Sequence, residues 1–412
     1  MEKKSKFNWS RLALAASALA IIGAIGIAVW AQSSTFSITL TGQSMIRSDF
    51  RVDAPNEVAT ISPLLKGDVI FTNFEAAVIE KEQSTSDGRF LSPPESLDAL
   101  KALGFNLLAL SDNHSFDLKV PGIQNTLRAV KSRKLAHAGI GNDLQEAAAP
   151  GYLHTPKGTV ALVAMASGLI AEGGSAQATR PGVNELRIEA GGKLNESTIL
   201  LPPEPGNEPN PGDRQRILQS IREARQHADL VIVYEHNHVF LNRPFGAILN
   251  EELPERLAPA DWLKKWTHEE IDAGADIIVM HGAPLVHGVE IYHRRPIFYD
   301  LGNFIFNAPP VDIQLDEPIF WESVVAHAEF RGKNLQSITF QPIVMNKIGQ
   351  GQPDLQDEHT NNLFLRTRGL PKPAIGDQAG YILQRLADSS RPFGTRVEVK
   401  GDTAEINLKD GN

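Results

Sequence analysis

The stretch from Gly274 to Phe306, GADIIVMHGAPLVHGVEIYHRRPIFYDLGNFIF, leaves the chain little choice of fold. Two apolar runs, Ile277–Val279 and Pro296–Tyr299, each end in polar or glycine-containing sequence. The first delivers His281-Gly282 and the second Asp300-Leu301-Gly302-Asn303, with His287 and Glu290 between them. Short apolar runs that stop at chemically loaded turns are how an α/β sheet presents a site at its strand ends.

The same grammar runs upstream. Strands are expected over Ser37–Leu40, Asp68–Glu75, Phe105–Leu110, Leu135–Ile140, Thr159–Ala166 and Leu230–Tyr234. Helical spacing separates them at Pro94–Leu103, Pro121–Ser132, Arg214–His227 and Ala258–Ala273, which is the alternation of an α/β domain. Trp262 and Trp266, four apart, share one helix face and read as a buried pair. Residues 80–94 read as a surface loop, and the proline- and glycine-dense 167–212 as a lid, substrate loop or excursion. Strands over Phe320–Arg331 and Ser337–Val344, a helix over Gln378–Ser389 and a hairpin over Thr395–Leu408 follow. This gives one large α/β domain over 36–346 and a smaller C-terminal extension over 347–412.

The N-terminus speaks to destination. Met1–Arg11 carries Lys3, Lys4, Lys6 and Arg11 against Glu2, and Leu12–Trp30 is almost wholly apolar. A basic region, an apolar region and Val29-Trp30-Ala31 predict a signal peptide over 1–31, cleaved before Gln32. An uncleaved membrane anchor is the alternative. Either places the body in the periplasm or outside the cell. With no cysteine, neither disulfides nor thiolate chemistry are available. A formal charge of -9 argues against a nucleic-acid partner.

Five apolar runs end in polar clusters: Gly42-Gln43-Ser44, Asn73-Phe74-Glu75, Asp112-Asn113-His114, Glu235-His236-Asn237-His238 and His281 through His287. Histidine, carboxylate and amide donors gathered from several strand ends are what a hydrolytic metal site requires. The alternative is metal-free chemistry, with His236 or His238 as general base beside Glu75 or Glu235. Arg180, Arg294 and Arg295 are the anion-binding candidates, and Asn303 is a further substrate contact.

From Phe36 to about Phe330 the chain resembles the bacterial capsule-synthesis family that includes the poly-gamma-glutamate capsule protein CapA (PgsA). The resemblance lies in DVIFTNFE at 68–75, LALSDNHSFD at 108–117, VIVYEH at 231–236, GADIIVMHG at 274–282 and GVEIYHRRPIFYDLGNFIF at 288–306. It implies a four-layer αββα sandwich similar to the metallophosphatases, an extracytoplasmic location and a role with anionic surface polymer. Residue by residue, it implies Glu75, Asn113, His114, His236 and His281 as metal ligands. The family's early Gly-Asp stands here as Gly42-Gln43, and the second histidine of its His-Gly-Pro-His motif as Pro284, with His287 three residues on. A neutral glutamine cannot supply the charge of a bridging carboxylate, so one divalent ion (Zn, Mn or Fe) is expected rather than two, with none as the alternative.

These residues support a hydrolase of an anionic polymer or a small amide, ester or phosphoester in capsule or polyglutamate metabolism. His236, His238 and Glu75 would carry its chemistry. The alternatives are a non-catalytic polymer-binding or assembly subunit of membrane-associated capsule machinery and a metal-independent enzyme in a repurposed cleft.

Overall fold

The computed structural model describes residues 35–80, 90–190, 193–194, 207–239, 254–308, 317–353 and 362–408. The N-terminal 1–31 segment and parts of the two long loops lie outside the described residues, and among those described no helix is long and apolar enough to cross a membrane.

In chain order the elements that frame the site begin with β1 (Thr35–Leu40), β2 (Gln43–Met45), β3 (Val69–Asn73), α1 (Glu95–Ala102) and β4 (Leu107–Ala109). Then come α2 (Lys119–Ser132), β5 (Ala136–Ala138), β6 (Gly151–Thr155), β7 (Gly158–Ser167), α3 (Pro211–His227), β8 (Leu230–Asn237), α4 (Asp261–Ala273) and β9 (Ile277–His281). The chain continues through β10 (Val289–Tyr292), β11 (Arg295–Phe298), β12 (Asn303–Phe306), β13 (Glu322–Arg331) and β14 (Asn334–Met345). It finishes with β15 (Pro371–Pro373), α5 (Gly376–Ser390), β16 (Glu398–Lys400) and β17 (Thr403–Asn407).

Among the described residues, nine strands form one sheet in the order β16-β17-β14-β13-β1-β3-β4-β5, with β15 alongside β14. Six form a second sheet, β10-β11-β9-β8-β7-β6. The alternation of each central strand sends one set of side chains to the partner sheet and the other to a helix layer. Ile38, Leu40, Val69 and Phe71 of the first sheet share a core with Leu162, Ile232, Tyr234 and Val279 of the second. Ile70 and Leu108 face α1 and α2 residues such as Leu97, Leu100 and Ile123, while Val163, Val231 and Val233 face Ile217, Ile221, Trp262 and Trp266 of α3 and α4. The molecule is therefore a four-layer αββα sandwich. The C-terminal hairpin joins the first sheet through β17 on β14, and α5 buries Ile382, Leu383 and Leu386 in the inter-sheet core.

Trp262 and Trp266 are buried, as their spacing predicts, and His327 is tied to Thr39 Oγ1 at 2.9 Å inside the sheet. Residues 168–190 are less irregular than their composition suggests. Gly182-Val183 pairs with Ile140-Gly141 and Glu185 bridges to Ala166, so this loop is fastened to the end of β7.

One residue of α4 departs from ordinary packing. Glu270 is fully buried and neither carboxylate oxygen has a hydrogen-bond partner. Burial, reinforced by the charge of Glu235, pushes its carboxyl well above the usual range. Below that range Glu270 is protonated in folded and unfolded chains alike. As pH rises, the unfolded chain releases the proton and the folded chain does not, so stability falls. Glu270→Met is expected to raise unfolding stability by about 1–3 kcal/mol at neutral pH and to flatten the pH dependence, measured by urea titration across that interval.

Candidate metal centre

β1, β3, β4 and β5 of the first sheet, and β7, β8, β9 and β11 of the second, run parallel to one another in register, from Ile38↔Val69 and Phe71↔Leu107 in one to Val160↔Leu230 and Ile232↔Ile277 in the other. Their C-terminal ends meet at one edge of the sandwich, because side chains from the two sheets touch there. The Asn113 Oδ1 that follows β4 lies 2.9 Å from His236 Nε2 and 3.2 Å from His238 Nε2, both from the end of β8. The two Nε2 atoms are 2.9 Å apart, and Glu75 Oε1 lies 3.7 Å from His236 Nε2. His281, register partner of His236, crosses to the first sheet, where its Nε2 donates to Thr41 O at 3.0 Å.

The proton inventory of this cluster is constrained. A ring nitrogen facing a carbonyl must be the N–H, so the His281 Nδ1 carries the lone pair, and it is buried without a partner. Two imidazole N–H groups cannot point at each other across 2.9 Å, so at most one of the His236 and His238 Nε2 atoms holds a proton. Burial, with neighbouring charges adding to it, holds His236 well below the usual imidazole value and pulls His238 down to about 3; burial pulls His281 down to about 3. These are neutral, lone-pair-bearing rings. Tyr234 OH, 3.1 Å from His236 Nδ1, fixes the orientation of the central one.

The carboxylates behave differently. Burial pushes Glu75 well above its ordinary value and Asp112 up to about 7, each partly countered by the charge of His114. Burial lowers His114, but its 2.9 Å hydrogen bond to Asp117, together with the charges of Asp117, Glu75 and Asp112, raises it to about 9. His114 is therefore cationic and held by Asp117, beside the Phe90 ring at 5.7 Å.

Gln43 Oε1, Asn73 Oδ1, Asn303 Oδ1 and His281 Nδ1 are buried acceptors without a partner, and Glu75 Oε2 joins them when its carboxyl is ionised. Buried polar atoms are ordinarily satisfied. A row of acceptors lacking donors is satisfied by a cation, and neutral imidazole, carboxylate and amide oxygen are the donors a divalent ion takes. Among the described residues no group of three His, Cys, Asp or Glu forms a ready-made metal site. The fit rests instead on His236, His238 and the Asn113 amide, with Glu75 beside them.

Of the residues singled out in the sequence, Glu75, Asn113, His236 and His238 are brought together, His281 stands next along the edge, and His114 turns to Asp117. Asn303 is nearby through its pairing with Gln43, its Nδ2 donating to Phe320 O at 3.1 Å. His287 is elsewhere, its Nε2 donating to Arg256 O at 3.0 Å. Arg180 closes a turn with Gln177 and donates to Ser175 O rather than to the cluster. Arg294 and Arg295 lie at the opposite end: β11 runs parallel to β9, so its start is remote from His281, and Arg294 donates to Leu408 O while Arg295 pairs with Asp276.

Two contributors escape a sequence reading. Tyr234 looks like one more apolar residue of a buried strand. Arg47 follows the β1 loop and is buried over the Phe90 ring, 4.1 Å from its centroid, with Nε donating to Asn307 O. The only signal for either is proximity in the chain to His236 and Gln43.

Comparison with known proteins places this geometry in a family. Residues 37–308 match the family described as Bacterial capsule synthesis protein PGA_cap. The chain is 30% identical to the uncharacterized protein y4sH of Sinorhizobium fredii, over 84% of this chain and 87% of that one. It is 26% identical to the PGA biosynthesis protein CapA of Bacillus subtilis, over 60% of this chain, and 28% identical to the capsule biosynthesis protein CapA of Bacillus anthracis, also over 60%. It spans 56% and 53% of the lengths of those two relatives. Among solved structures it is similar to a hypothetical protein from Thermus thermophilus, with a TM-score of 0.41 at 10% identity over 74% of this chain and 98% of that one. The family match covers well over half of the sequence, and the chain belongs to the bacterial capsule synthesis protein PGA_cap family.

Proposed function

We propose that the protein is an extracytoplasmic metal-dependent hydrolase, acting on an anionic surface polymer or a small amide, ester or phosphoester in capsule or polyglutamate metabolism. The observation that carries the reading is the convergence of His236, His238, Asn113 and Glu75 within 2.9–3.7 Å of one another's polar atoms, from both sheets. The names of the CapA relatives support the polymer, and the basic-then-apolar residues 1–31 support the location.

A bound divalent ion supplies Lewis-acid polarisation of the scissile carbonyl or phosphoryl oxygen and acidifies a bound water. His236, His238 and Asn113 would hold it, with Glu75 as the nearby carboxylate and Tyr234 setting the His236 ring. His114, kept protonated by Asp117, is positioned to give a proton to a leaving group. A second reading, a non-catalytic assembly subunit, is favoured by Gln43, a neutral side chain with a buried unpartnered oxygen among the strand ends.

The test is elemental analysis of the purified full chain after exposure to zinc, manganese or iron, joined to a substrate panel of poly-γ-glutamate, peptides and phosphoesters. About one bound ion per chain and turnover that chelation removes are expected. Metal binding without turnover would favour the assembly subunit. Turnover that survives chelation would favour metal-independent acid–base chemistry, and absence of both metal and turnover would overturn the proposal.

A further inference from the structure

Glu75, His236, His238 and His281 are buried, whereas Asn113 and His114 are partly open to solvent, the His114 side chain keeping 27% of its surface exposed. A substrate reaches the cluster past these two. Two segments border that opening. One is the chain after His114, where Phe116 is buried and Lys119, the first residue of α2, is exposed. The other is 168–180, held close by its glycines: a Cβ on Gly168 would meet His238 Cβ at 3.3 Å, and one on Gly174 would meet Phe116 Cδ1 at 3.3 Å.

Each segment brings a cation to Phe116. Lys119 Nζ stands over the ring, 5.4 Å from its centroid. Arg180, half-buried, lies over Gly173 and Ser175 on either side of Gly174, with Nη2 donating to Ser175 O at 3.2 Å and Nη1 3.8 Å from where a Gly173 Cβ would be. Among the described residues neither cation has an acidic partner. The two segments carry two acids, Asp117 and Glu172. Asp117 is spent on His114 and on Phe90 N, the latter at 2.6 Å, and the first turn of α2 holds no acidic residue. Lys119 and Arg180 therefore stand against Glu172 alone, on a chain whose formal charge is -9.

The position of these charges selects a class of substrate. They border the opening and do not touch the cluster, so a small ester or phosphoester filling the cluster would leave both unused. A chain with an anionic group on each unit would meet them with the units that flank its reacting bond, and such remote contacts are a usual source of binding energy. We infer that Lys119 and Arg180 form a rim subsite that takes the carboxylates of a polyanionic chain beside the metal centre. The inference rests on reading this edge as a substrate site and narrows its substrate to the polymer.

The metal-free full chain is titrated calorimetrically with poly-γ-glutamate, with dextran as a neutral polymer and inorganic phosphate as a small anion. Saturable poly-γ-glutamate binding that weakens as salt rises is expected, tighter than that of phosphate and with none of dextran. Lys119→Gln and Arg180→Gln remove charge and should each weaken binding about tenfold. Arg180→Gln also alters the bond to Ser175, so the exposed Lys119→Gln is the decisive variant. Lys333→Gln is the control. It removes an exposed cation beyond Arg331, the register partner of Thr35 at the far end of β1, and should leave binding unchanged. Binding is read without metal or turnover, so failure of the hydrolase reading leaves a rim effect intact. Where turnover is found, both rim variants should raise KM for the polymer with kcat unchanged and leave KM for a small ester unaltered. No saturable polymer binding, equal binding of dextran, tighter binding of phosphate, full-strength binding by Lys119→Gln or an equal loss in Lys333→Gln would overturn the inference.

Discussion

His236→Ala is expected to lower divalent-metal affinity by more than about a hundredfold, because even changes to groups that merely support a ligand cost about 10–100-fold. Hydrolytic turnover should fall with it, by about a hundredfold to a thousandfold or more. His236 is the hinge of the cluster: Asn113, His238, Glu75 and Tyr234 all reach its ring. The control is His287→Ala. That histidine is also buried, but its Nε2 donates to Arg256 O, and among the described residues no hydrogen bond joins it to His236, His238, Asn113 or Glu75. Its removal should lower stability and leave metal stoichiometry unchanged. Isothermal titration with zinc and manganese on both variants separates the two, and equal metal binding in His236→Ala and the parent protein would exclude this residue as a ligand.

The second large effect concerns backbone rather than side chain. Gly282→Ala is expected to destabilise the protein by about 3–5 kcal/mol, read as a fall in the urea midpoint. Gly282 has φ +120°, where an L side chain is strained, and a Cβ there would sit 2.3 Å from Asn237 O. The ends of β8 and β9 would have to separate, carrying His236 and His281 apart. Metal affinity should therefore drop in the fraction that still folds. A loss below about 1 kcal/mol would be incompatible with this close approach.

How far the sequence announces this arrangement differs by residue. His236, Glu75 and Asn113 end apolar runs, and an apolar run that stops at a polar cluster has one natural place, the end of a sheet strand. An α/β domain follows from apolar strands alternating with amphipathic helices, whereas the four-layer stacking is implied only by the resemblance to the capsule-synthesis family. What spacing does not contain is which ends meet. The pairing of β2 with β12 brings Gln43 to Asn303 across most of the domain, and no local pattern in either segment encodes it. Arg294 illustrates the opposite failure. Tyr292 pairs with Arg295 across a two-residue hairpin whose residues, His293 and Arg294, have φ of 48° and 62°. Such turns usually declare themselves with Asn-Gly or a similar pair. Here two bulky residues occupy it, so the arginines read as a continuation toward the site when they lie at its far end. His281 was legible as a ligand-type residue, but its tautomer depends on the carbonyl of Thr41, which only the fold supplies.

The position of β1 governs when this centre can come into being. It lies between β3, made early, and β13, made late; Thr35 pairs with Arg331, and Thr39 meets His327 across a separation of 288 residues. A growing or translocating chain therefore carries β1 with one ladder edge vacant until nearly the whole domain is available. Closing so long a loop is slow, and vacant strand edges invite pairing with other chains. A protein built this way has an extended interval of vulnerability during synthesis. Its yield is expected to depend on whatever shields that edge before β13 arrives, and C-terminal truncations ending before Glu322 should accumulate as aggregates rather than as a partly folded domain.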